Sequence, residues 1–77
     1  MTHAATILRQ PIGTPLMVCD PIPVRMSCLM GREAADLMPG KRVLSWGCVG
    51  PLMMLQDLSG DLIHIDAALA DNLEVCP

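Results

Sequence analysis

Four cysteines and two histidines are the side chains in this 77-residue sequence best suited to hold a borderline or soft metal. Cys19, Cys28, Cys48 and Cys76 stand singly, at separations of 9, 20 and 28 residues, and none forms a C-x-x-C pair. That spacing carries no ligand signature, and an isolated cysteine more often serves as a small buried hydrophobe. His64 lies in LIHID between two isoleucines. With Ile63 and Ile65 pointing inward, alternation turns His64 outward, where Asp61 or Asp66 could help it hold a divalent ion weakly. A solvated strand residue is the simpler reading. Asp57, Asp61, Asp66 and Asp71 crowd the last two turns without the spacing of a calcium loop, so Asp57 and Asp61 read as turn residues and Asp66 as a helix cap. No metal ligand and no cofactor follow from these patterns.

Catalysis finds no footing. The chain has no Ser/His/Asp order, no glycine-rich phosphate loop and no paired carboxylates in a fixed frame, and its length leaves little room for a ligand pocket. The expectation is a non-enzyme. Recognition has better candidates. Met53 and Met54 are adjacent, and adjacent strand residues point to opposite faces, so one of them is left for solvent or a partner. Methionine makes adaptable contacts and tryptophan is enriched at interface hot spots, which marks Trp46, Met53 and Met54 as the candidate partner-binding residues.

Composition narrows the setting. At 52% hydrophobic the chain can fold as one domain spanning residues 1–77. It has no Phe or Tyr, one Trp and seven Met, so aliphatic side chains and methionine must fill the core. A core of that kind is modestly stable, and self-association into a homo-oligomer would help hide apolar surface. A net charge of −3 with Lys41-Arg42 as the sole adjacent basic pair argues against nucleic acid. No apolar run approaches the length of a membrane span, and MTHAATILRQPIG does not read as a signal peptide, so the cytoplasm with reduced thiols is the expected setting.

The elements that must position these residues are short. Pro11 and Pro15 forbid a continuous helix after the ATIL run, and Leu16–Cys19 reads as a short edge strand. DPIP, residues 20–23, is a break, and Val24–Leu29 alternates as a half-buried strand with Val24, Met26 and Cys28 on one face. REAADLM then offers one to two helical turns before Pro39-Gly40 stops them. Strands follow at Val43–Trp46, Leu52–Gln56 and Leu62–Ile65, joined as hairpins through GCVGP and DLSGD. Asp66 would cap a single helical turn through Ala70, and Leu73–Val75 closes the sheet. Five or six strands with one helical insertion suggest a mainly β fold closed into a small SH3-like barrel, since closure removes bare edges.

From Leu37 to Val75 the order of turns and strands resembles the FeoA family, small cytoplasmic proteins associated with bacterial ferrous-iron uptake. DLMPGKRV, GPLMML, SGDLIHID and ALADNLEV carry the resemblance. Within them, Leu37, Pro39, Gly40, Val43, Gly50, Pro51, Gly60, Ile63, Ile65, Ala70, Leu73 and Val75 fall where the family pattern has their types. Asp36 stands where the family usually has glycine, and the proline-rich N-terminal third matches poorly. The resemblance implies an SH3-like barrel and a regulatory or scaffolding role by protein–protein contact with a FeoB-type membrane GTPase transporter. The same barrel also occurs in metal-dependent repressors of the DtxR type, so fold alone does not fix function. It implies no catalytic residue and no direct insertion into the membrane. The rival reading is a small cysteine-based metal- or redox-responsive protein, with Cys48 exposed in its glycine-flanked turn.

Overall fold

The computed structural model describes residues 3–27 and 36–77. The chain is mainly β: helix α1 (His3–Leu8), then strands β1 (Pro15–Val18), β2 (Met26–Ser27), β3 (Arg42–Val49), β4 (Leu52–Asp57), β5 (Leu62–Asp66) and β6 (Leu73–Val75), with a 3₁₀ segment, Ala67–Asn72, before the last. All pairings are antiparallel, and the strand order is β2-β5-β4-β3-β1-β6. Among the described residues no ladder joins β2 to β6, so the sheet is not closed into the expected barrel.

Alternation sets the two faces. Leu16 and Val18, Val43 and Ser45, Met53 and Leu55, Ile63 and Ile65, and Leu73 are all buried on the inner side. Ile7 from α1 and Ala70 from the 3₁₀ segment join the same core, so both short helical pieces cover the inner face. Ser45 is the polar member. Its hydroxyl is buried with no partner among the described residues.

Local chemistry explains most boundaries. Pro15 opens β1, where a missing N–H costs no ladder bond. The β3–β4 hairpin turns at Gly50-Pro51, between the opposed residues Val49 and Leu52. Gly50 has φ +56° at the first turn position, which primed hairpin turns require. At β4–β5, the Asp57 carboxylate accepts from the Ser59 amide (2.9 Å), the Ser59 hydroxyl (2.6 Å) and the Asp61 amide (3.1 Å), an Asx turn.

Five details differ from the sequence expectations. The stretch expected as an edge strand at Leu16–Cys19 is β1, an interior strand paired with β3 on one side and β6 on the other. The ATIL run lies in α1, which is pinned from outside: His3 Nε2 donates to the Leu73 carbonyl at 2.6 Å, and the Asp71 carboxylate accepts from the Ala4 amide at 2.7 Å. Asp66 sits at the N-cap position, but its side chain makes no capping bond. The Ala67 amide bonds to the Pro51 carbonyl, and the Asp66 carboxylate lies 3.8 Å from Arg25 Nε. Of the helical turns expected in REAADLM only residues 36–38 are described. There Leu37 is in a β-bridge with Ile22, each amide donating to the other's carbonyl at 2.8–2.9 Å. On β2, Met26 stands in register with His64 and Ser27 with the core-facing Ile63, and the Arg25 amide bonds to the His64 carbonyl. Cys28 lies outside the described residues.

Candidate interaction surface

The outer face of β3, β4 and β5 carries an apolar surface where period-two strands usually turn polar. Leu44, Trp46, Leu52, Met54 and Leu62 all lie half-buried there. Val49, 58% exposed, extends the patch to the hairpin tip. The register brings the strands together: Leu44 opposes Gln56, which opposes Leu62, and Met54 opposes His64.

Trp46 owes its place to a bulge. Between Ser45 and Cys48 the β3–β4 register shifts, so Trp46 and Gly47 stand together against Met54. Gly47 takes φ +94°, and the Ile12 side chain lies 3.9 Å from where a Cβ would sit. Ile12 itself is 65% exposed.

Of the three partner-binding candidates, Trp46 and Met54 share this outer face, half-buried and close in register. Met53 does not. It is fully buried between Cys48 of β3 and Ile65 of β5, a core side chain with no surface to offer. His64 lies on the outer face as alternation requires. Its ring is half-buried, with Nδ1 shielded from solvent and without a partner among the described residues. Sequence reasoning passed over Leu44, Leu52 and Leu62, although a strand apolar on both faces, such as LMML, is a signal of an outer face that is not simply solvated.

An open cleft of about 540 Å³ lies at the opposite end of the β3–β4 pair, lined by Gly40, Lys41, Arg42, Asp57, Leu58 and Ser59. Partial burial pushes the Asp57 carboxyl up, but the Ser59 hydroxyl, the Asp61 and Ser59 amides and the Lys41 charge outweigh it and leave its pKa below the ordinary 3.8. A lowered folded-state pKa means this stabilisation is present above the unfolded value and is lost as pH falls through the folded one. Asp57→Asn is therefore expected to lower the melting temperature at neutral pH, with the gap to wild type closing below about pH 4. A gap of equal size at pH 7 and pH 3, measured by thermal melts, would assign Asp57 a purely steric role.

The thiols are separate from the apolar face. Cys19 and Cys48 are exposed and Cys76 is half-buried, all three as free thiols. Desolvation pushes the Cys19 thiol up, and Glu74, Asp20 and Cys76 push it further, which disfavours the reactive thiolate. Among the described residues no three His, Cys, Asp or Glu side chains converge on a point. No helix among them is long and apolar enough to cross a membrane. The chain matches no protein-family model, no curated protein and no solved structure.

Proposed function

We propose that this chain is a FeoA-like accessory protein that binds a membrane-associated, FeoB-type GTPase transporter on its cytoplasmic side and modulates it by contact, without chemistry of its own. The observation that carries the proposal is the apolar outer face centred on Trp46 and Met54. The short helical pieces pack on the other side of the sheet, and Leu44, Trp46, Leu52, Met54 and Leu62 on this face keep part of their surface exposed. A half-buried tryptophan beside a methionine has the makeup of an interface anchor. The ordered turns from Leu37 to Val75 supply the family reading.

The proposed architecture is an SH3-like barrel. Six strands laid flat would span about 24 Å. The helical cover is α1 and the 3₁₀ segment, each of six residues and on the order of 10 Å long. Five strands nonetheless bury residues in one common core. A sheet can do that with so small a cover by curling over itself, and the β3 bulge supplies extra bend and twist.

Titration of ¹⁵N-labelled protein with the cytosolic GTPase domain of the same organism's ferrous-iron transporter tests the reading. Amide shifts are expected at Leu44, Trp46 and Met54, with Trp46 emission changing in parallel. Trp46→Ala should weaken binding about tenfold or more, as interface tryptophans do. An unchanged spectrum at high partner concentration would rule out binding to the soluble domain.

A further inference from the structure

One row across the outer face gathers soft donors. Met54 on β4 directly opposes His64 on β5, and Trp46 stands at the bulge on the far side of Met54. Directly opposed residues share a face with Cβ atoms about 4.5–5.5 Å apart, within reach of one ion for a thioether and an imidazole. Thioether and imidazole together suit a thiophilic monovalent cation, whereas hard cations want several oxygens. The nearby Asp66 carboxylate already faces Arg25.

A second observation points to a ligand. His64 Nδ1 is buried without a hydrogen-bond partner among the described residues. Cross-strand packing accounts for Met54 beside His64 but leaves this nitrogen unsatisfied, an arrangement native proteins avoid. A cation seated between the imidazole and the Met54 sulfur would satisfy it. We propose that His64 and Met54 hold one Cu(I) or Ag(I) ion beside Trp46. The indole face is suited to a neighbouring cation. This inference goes beyond the docking reading and does not depend on it.

The test uses Ag(I), which needs no reductant, on the full-length chain. Thiols would compete, so Cys19→Ser, Cys28→Ser, Cys48→Ser and Cys76→Ser are combined, with circular dichroism checking the fold. Should that variant not fold, wild-type protein capped with N-ethylmaleimide replaces it. Native mass spectrometry is expected to show one retained Ag(I), and Trp46 emission to fall. In ¹³C-methyl-methionine spectra the Met54 signal should move while that of buried Met53 stays. Met54→Leu and His64→Gln should each weaken binding by more than the roughly 10–100-fold typical of losing an outer-shell partner. No retained ion, shifts confined to other methionines, or wild-type affinity in both variants would overturn the proposal. The methyl spectra decide the matter even if a variant unfolds. A failed Ag(I) titration with an intact response to the GTPase domain would reject the metal site and leave the docking reading standing.

Discussion

Met53→Ala is expected to destabilise the protein by about 2–5 kcal/mol, while Met54→Ala, one residue away, should cost about 1 kcal/mol or less. The two side chains have similar chemistry and opposite surroundings. Met53 is fully buried among the core residues of β3, β4 and β5, and truncating it removes buried methylenes and leaves a cavity that its neighbours cannot fully collapse into. Met54 is half-exposed and has solvent on one side. A 77-residue domain has roughly 4–12 kcal/mol of total stability, so the Met53 variant loses a large share of it. Its melting temperature should fall by on the order of 10 °C or more. Denaturant melts of the two variants, side by side, check the assignment of faces. Equal losses, or a larger loss at Met54, would mean that the β4 register is not the one described. The functional readout should run the other way, with Met54→Ala weakening partner binding in a protein of near wild-type stability.

Gly47→Val should cost about 1–3 kcal/mol for a different reason. A Cβ at Gly47 would meet Ile12 at 3.9 Å, an ordinary contact, so space is not the obstacle. The obstacle is φ +94°, which side chains of L configuration rarely adopt and β-branched ones least of all. Gly47→Asn should cost less, since asparagine tolerates positive φ better than valine does. The valine variant has a second outcome to watch. If the strain is relieved by flattening the bulge, β3 loses the residue that lets Trp46 and Gly47 share one partner, and the residues beyond it change face. Trp46 emission would then shift along with stability. Identical midpoints for valine, asparagine and wild type in denaturant would show that positive φ is not needed at this position.

The sheet was most readable where alternation was clean and turns were explicit. The expected Leu73–Val75 strand coincides with β6, and those at Val43–Trp46, Leu52–Gln56 and Leu62–Ile65 lie within β3, β4 and β5. The inward set Ile63 and Ile65 also followed from period two. What escaped the sequence depends on distant partners. Helix α1 is six residues long, too short to show a helical period, and it is held by Leu73 and Asp71 from the far end of the chain. Asp66 had the right residue type for a cap, but its carboxylate lies beside Arg25, 3.8 Å from Nε, and makes no capping bond. Gly47 read as part of a turn because glycine marks both turns and bulges, and only the register tells them apart. For the candidate surface, Trp46 and Met54 were identifiable from residue type alone. Which of the two methionines faces outward could not be read until the strand had a partner.

The position of β1 between β3 and β6 imposes an order of assembly. β3, β4 and β5 form a meander whose two loops close over a few residues, at little entropic cost. β6 has β1 as its neighbour in the sheet, and the bonds that fasten α1 to the last strand and the 3₁₀ segment bridge sequence separations of 70 and 67 residues. A nucleus built from local contacts would therefore sit in the meander, with both ends of the chain joining it last and together. By that account the Trp46–Met54 face takes shape before the molecule is complete, and substitutions in α1 or β6 should quicken unfolding while leaving the refolding rate nearly unchanged.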